Sequence, residues 1–172
     1  MSIAQQLLAE FESQAPVTRK YLERLPEDKL GWKPHSKSMT AGQLAYHLAF
    51  VPGGVCRGSQ QNEIQVPDFN HAQPSSKQEI LDTFDQSIAT VREVLGGYDD
   101  ATINATWRIL NGTEEVAAMP RLAFLRNIML NHWYQHRGQF GVYLRMLDVP
   151  VPASWGPSAD ERSFFQRQLQ PA

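Results

Sequence analysis

The sequence predicts an all-α fold: a four-helix bundle with long connections and an extended, Pro-rich C-terminal tail. Three observations predict it. Apolar residues recur at helical spacing in four separate stretches. A capping residue or a first-turn proline stands where each stretch begins. Two longer, irregular connections, 60–74 and 98–119, separate the last three stretches. Amphipathic helices must bury their apolar stripes against one another, and four of them so joined make a bundle. At 172 residues the chain fits one domain, 1–172, with room for a sizeable core.

The first helix begins after Ser2, with Ile3, Leu7, Phe11, Ala15, Val17, Tyr21, Leu22 and Leu25 on one broad face. Pro16 interrupts it and predicts a kink or short break near residues 12–15. Leu30 to Met39 is a loop by its Gly, Pro and Ser content. Thr40 with Gln43 three residues on forms a capping box, so a second helix runs from Ala41 to about Arg57. Leu44, Leu48, Val51 and Val55 face inward, and His47 lies beside them. Pro52-Gly53-Gly54 predicts a bend or an early end near Val51. Residues 60–74 read as an irregular loop. Ser75 or Ser76 caps a third helix with the stripe Ile80, Phe84, Ile88, Val91 and Leu95, and Gly96-Gly97 stops it. Residues 106–116 can form a small hairpin over Asn111-Gly112. Pro120 opens a fourth helix that reaches Leu147. The prolines at 150, 152 and 157 then keep the chain extended, laying Val151 and Trp155 over a groove. Ser158 can cap a short terminal helix, 159–168.

Bulk properties exclude several functions. Apolar residues make up 42% and charged residues 20% of the chain, as in an ordinary globular protein. A net charge of −2 gives no general attraction to nucleic acid or to an anionic membrane. No apolar run approaches the roughly 20 residues of a membrane span. The N-terminal residues lack the pattern of a signal peptide. A single cysteine, Cys56, rules out an internal disulfide framework and fits the reducing cytoplasm. It reads as a small buried apolar residue.

The residues that point to chemistry are histidines. His132 and His136 are four apart, so on a helix they project about 40° apart on one face. That face carries Leu125, Ile128 and Met129 before them and Phe140, Tyr143 and Leu147 after them, and so should turn to the core. His47 occupies the same kind of position on the second helix. Three inward imidazoles from two helices suit a divalent metal, since histidine nitrogen ligates zinc, nickel, iron and copper. Three protein ligands leave a position for water or substrate, the pattern of catalytic rather than structural sites. The alternative is three core histidines bonded to carbonyls or side chains. His35 and His71 lie in loops and read as solvated or capping groups. Gln43 and Asn131 are candidates for bonds to the far side of the ligating rings, or else serve as a cap and an exposed amide. Arg137 reads as paired with a surface carboxylate rather than a substrate. Trp32, Trp107 and Trp155 read as core cover, and Trp133 as core or dimer interface.

Three separated segments resemble one family. The run Leu30-Gly31-Trp32-Lys33-Pro34 through Gln43-Leu44-Ala45-Tyr46-His47-Leu48-Ala49 resembles the loop and second helix of the DinB-like (DinB/YfiT) superfamily. His132 and His136-Arg137-Gly138-Gln139, followed by Tyr143-Leu144-Arg145, resemble its fourth helix. The tail from Val149-Pro150-Val151-Pro152 to Gly156-Pro157-Ser158-Ala159-Asp160-Glu161 is similar as well. The resemblance implies an up-up-down-down four-helix bundle, often dimeric, with a divalent metal held by three histidines, which fall on His47, His132 and His136. Zinc or nickel is the expected ion, with iron as the other candidate. The family includes metal-dependent enzymes acting with low-molecular-weight thiols, among them bacillithiol S-transferases and mycothiol-dependent maleylpyruvate isomerases.

The expected function is therefore transfer of a small thiol, deprotonated at the metal, to an electrophilic small molecule. Two alternatives stand beside it: metal-dependent hydrolysis, and a non-catalytic metal- or ligand-binding role in a stress response. No Glu follows His132, so the HExxH protease pattern is missing. The expected partners are a small-molecule substrate and a second copy of the chain, with neither nucleic acid nor membrane.

Overall fold

The computed structural model describes residues 1–68 and 70–162. Chain order is α1 (Ile3–Glu23), a 3-10 turn at Glu27–Lys29, α2 (Ala41–Ser59), β1 (Glu63–Gln65), α3 (Lys77–Gly96), α4 (Asp100–Asn104), β2 (Thr106–Asn111), β3 (Glu114–Pro120) and a final helical run. That run consists of α5 (Arg121–Phe124), a π-helical stretch at Leu125–Asn131 and α6 (His132–Met146).

The long helices start where capping chemistry precedes apolar spacing. Ser2 with Gln5, and Thr40 with Gln43, close reciprocal capping boxes. Ser76 Oγ accepts from Glu79 N at 3.1 Å. Both proline-containing helices run unbroken through their prolines. α1 continues through Pro16 without the expected break; Pro16 lies on its exposed side, where water can serve the Glu12 carbonyl left without a helical donor. α2 continues past Val51 to Ser59 because other helices complete it. Pro52 cannot donate to the Leu48 carbonyl, and Trp133 Nε1 does so instead at 2.9 Å. Gly53 is where α2 meets α3: its N–H donates to Ser87 Oγ at 2.6 Å, and a Cβ there would lie 2.8 Å from Ser87.

The chain is mostly helical, but a three-stranded sheet in the order β1-β2-β3 corrects the all-α expectation. β2 and β3 form the expected antiparallel hairpin, and Gly112 at φ +62° supplies the left-handed turn. β1 pairs parallel with β2 from within the segment read as a loop. Three residues are too few to show alternation, which is why its pattern was silent. Arg121 and Trp107 tie the sheet to the helices. The buried Arg121 guanidinium donates to the Ser59 and Thr102 carbonyls and to Asn62 Oδ1. Trp107 is buried and stacks on Phe124 at 3.7 Å.

One core joins α1, α2, α3 and the final run, built around Phe11, Leu44, Phe84, Trp133 and Phe140. The π-helical stretch resets the phase of that run. Its wider turns, marked by His132 N–H bonding to the Asn127 carbonyl, leave Ile128 39% exposed while Met129, Leu130 and Trp133 turn inward. Residues 147–162 form neither helix nor strand. They are held on α1 by Tyr21 Oη, which donates to the Pro152 carbonyl, and by Arg24, which pairs with Glu161. Trp155 bonds Gln14 through its indole N–H but stays 58% exposed, so it is not core cover. Of the expected terminal helix, residues 163–168 lie outside the described residues, and 159–162 are not helical.

Candidate metal centre

The three histidines singled out by their faces meet. His47 comes from α2, while His132 and His136 come from the first two turns of α6, just beyond the π-helical stretch. One ring nitrogen of each can be chosen so that all three lie within 4.8 Å of one another. Ring centroids are 4.4 Å apart for His132 and His136, 4.7 Å for His47 and His136, and 5.2 Å for His47 and His132. The site is half-buried, at the rim of the core rather than in its centre.

The electrostatics keep these rings neutral. Burial pushes His47 down to about 3, and the charges of His136, His132 and His71 act in the same direction. Burial likewise lowers His132, aided by His136. Burial lowers His136 too, against the hydrogen bond it donates to Gln139 Oε1, which raises it. Neutral imidazoles present lone pairs, which is what a cation requires of them.

Hydrogen bonding assigns those lone pairs. Gln139 Oε1 lies 2.7 Å from His136 Nδ1, so the His136 proton sits on Nδ1 and its Nε2 is bare. That Nε2 is 2.7 Å from His132 Nε2, which must then carry the proton between them when no cation lies there. The consequence is a bare, buried His132 Nδ1, and both it and His47 Nε2 are without a hydrogen-bond partner. Buried polar atoms left unpaired cost free energy, of order 1–3 kcal/mol each. A divalent ion fits this set. It would take His47 Nε2 directly and would release His132 to move its proton from Nε2 to Nδ1.

The neighbours differ from the sequence reading in three places. Gln43 is a cap, as its position suggests, but its Nε2 also donates to the His71 carbonyl at 3.0 Å. That bond brings His71, read as a solvated loop residue, to 5.3 Å from the His47 ring. Arg137 is not on the surface. It is 7% exposed, donates to Gln14 Oε1 and Thr18 Oγ1 on α1, and lies over the Trp133 and Tyr134 rings. Trp133 is buried at 1% exposure and bonded to Leu48, which removes it from any subunit interface. Asn131 is exposed. Gln139 is the neighbour that the sequence reading gives no role, although an amide three residues beyond a candidate ligand is a visible signal. Cys56 is buried against Met129 Sδ at 3.3 Å, and burial raises its thiol to about 12.

Comparison with known proteins agrees with this architecture. The family model described as the DinB superfamily matches residues 10–140. The chain is 27% identical over 159 residues to the uncharacterized protein YrdA of Bacillus subtilis (strain 168), covering 92% of this chain and 91% of that one. A solved DinB-like protein of Bacillus cereus ATCC 10987 superposes with a TM-score of 0.71 at 22% identity, over 89% of this chain and 97% of that chain. The DinB-like protein YjoA of Bacillus subtilis superposes with a TM-score of 0.66 at 17% identity, over 86% and 96%.

Proposed function

The chain belongs to the DinB superfamily, and from that premise we propose that it is a metal-dependent enzyme that transfers a low-molecular-weight thiol to an electrophilic small molecule. The observation that carries the metal half of this reading is the convergence of His47, His132 and His136, with His47 Nε2 buried and without a protein partner. An all-imidazole donor set suits zinc, nickel, iron and copper, and of these zinc or nickel is the ion we propose, with iron next. A divalent ion held there supplies Lewis acidity that lowers the pKa of a thiol, or of water, at its uncovered side. The chain's own groups do the rest. Gln139 holds the His136 proton on Nδ1 and so aims Nε2 at the ion. The burial of the three rings keeps them from protonating and losing the ion near neutral pH. The reading takes residues 1–172 as one domain, an up-up-down-down four-helix bundle with the sheet appended. It further places the protein in the cytoplasm as a homodimer. No helix among the described residues is long and apolar enough to cross a membrane, which is compatible with that placement.

The test has two stages. Metal content is measured on protein purified without an affinity tag, for wild type and His132→Ala. About one divalent ion per wild-type chain and far less in the variant is expected; equal content in the two removes the site assignment. The metal-loaded protein is then screened for conjugation of common cellular thiols to electrophiles. Failure with all of them, with metal still bound, moves the reading to metal-dependent hydrolysis or to a non-catalytic metal-binding protein.

A further inference from the structure

We propose that His71 is a displaceable fourth ligand of the ion held by His47, His132 and His136, occupying the side at which an incoming thiolate binds. The proposal rests on the three-histidine reading above and adds to it a residue from a different part of the chain. His71 belongs to the connection between β1 and α3, not to any helix of the site.

Its position is built rather than incidental. The His71 ring meets His47 edge-on, at 84°, with centroids 5.3 Å apart, much the same distance as His47 keeps from His132. It is close enough for its charge to bear on both His47 and His136. The main chain at His71 is fixed by Gln43 Nε2, and Gln43 stands one turn before His47 on α2. Two residues further on, Gln73 Oε1 accepts from the Thr40 hydroxyl at 2.7 Å. The segment is thereby fastened to the start of the helix that carries His47.

The side chain is placed differently from those of the other three. His71 is exposed, whereas His47, His132 and His136 are half-buried. It therefore stands on the solvent side of the cluster, the side from which a ligand must arrive. Its nitrogens lie outside the set of three that share one 4.8 Å cluster. Ligation requires a change of rotamer, which exposed side chains make in picoseconds to nanoseconds. A fixed main chain with a movable imidazole is what a labile ligand needs. Four protein ligands close a metal site, and three leave it open for chemistry. An exposed fourth ligand permits both: closed at rest, and open once a thiolate replaces the imidazole. In that exchange one metal–nitrogen bond breaks, one metal–sulfur bond forms, and the thiol proton passes to buffer.

Cobalt(II) is the probe, with the full chain as wild type, His71→Ala and His132→Ala, read by metal stoichiometry, affinity and visible absorption. Wild type and His71→Ala should each bind one ion. The variant should bind at least about tenfold more weakly, the scale of losing a supporting group, with a changed ligand-field spectrum. Added imidazole should restore the wild-type spectrum in His71→Ala. Added 2-mercaptoethanol should bind the variant more tightly than wild type, because no side chain competes. An unchanged spectrum and affinity in His71→Ala overturns the fourth ligand and leaves the three-histidine site standing. Failure of wild type to bind cobalt, or binding by His132→Ala equal to wild type, overturns the three-histidine reading and this one together.

Discussion

Two neighbouring stripes of α6 differ in a way that separates structure from function. Trp133 and Arg137 lie one residue beyond His132 and His136, about 100° around the same two turns. Each polar atom that the first pair takes into the interior finds a partner in the fold: Trp133 Nε1 on the Leu48 carbonyl, the Arg137 guanidinium on Gln14 and Thr18. The second pair, with His47, keeps two buried nitrogens bare. No protein group pairs with these two nitrogens, and it is His47 Nε2 that the proposed ion would take. The same two turns thus hold α6 in place with one stripe and present candidate metal ligands with the other.

Substitutions on the two stripes should separate two readouts. His132→Ala should lower affinity for a divalent ion by more than about 100-fold, the upper end of the loss typical for a supporting group, while urea unfolding of the metal-free protein stays near wild type. A metal-free protein strongly destabilised by this change would mean that the histidines are core residues after all. Trp133→Phe should do the reverse. The Leu48 carbonyl, already denied its helical donor by Pro52, would lose its replacement at a cost of about 1–3 kcal/mol. Metal affinity per folded chain should hold. Loss of metal without loss of stability in this variant would erase the distinction between the stripes.

Proton linkage offers a subtler contrast. The folded His47 value, about 3, lies below its ordinary 6.5. Between those values the unfolded chain takes up a proton that the folded one refuses. Stability of the metal-free protein should therefore rise with pH through this window and be lost as pH falls from about 6.5 toward about 3. His132 and His136 are lowered too and add to the same slope. Urea midpoints at about pH 7.5 and about pH 5 should differ in wild type and Trp133→Phe and differ less in His47→Gln. A slope that survives His47→Gln in full would place its origin elsewhere.

What the sequence disclosed and withheld follows from how local each feature is. Caps and stripes are local, so Thr40 with Gln43, and the four long apolar stripes, were readable. The pairing of His132 and His136 was readable too, because they share one face by spacing alone. The sequence leaves α2 open between an end near Arg57 and an early one near Val51, because its passage through Pro52 depends on Trp133 and Ser87 from other helices. β1 is too short to carry a pattern. Ile128 was misplaced because nothing in the run 125–131 announces wider turns. His71 reaches the site through a single bond to Gln43, which no local rule predicts. Arg137 is the instructive case. Gln14 and Thr18 are polar residues four apart on the buried face of α1, and such a pair in an apolar stripe asks for a buried partner.

The smallest expected effect tests the finest part of the comparison. Gln139 is exposed, and its Oε1 reaches His136 Nδ1 from one turn further along α6. An exposed side chain contributes little to the core, so Gln139→Ala should leave the unfolding midpoint near wild type. What it should alter is the placement of the His136 proton. With the acceptor gone, water competes for Nδ1, and the tautomer that bares Nε2 loses its preference. Affinity for a divalent ion should fall by about tenfold, the low end for loss of a group that orients a ligand, because water partly replaces the amide. Gln139→Glu should recover the loss, since a carboxylate oxygen at that position accepts the same proton. Weakening by both substitutions alike would mean that the amide serves α6 itself rather than the ring.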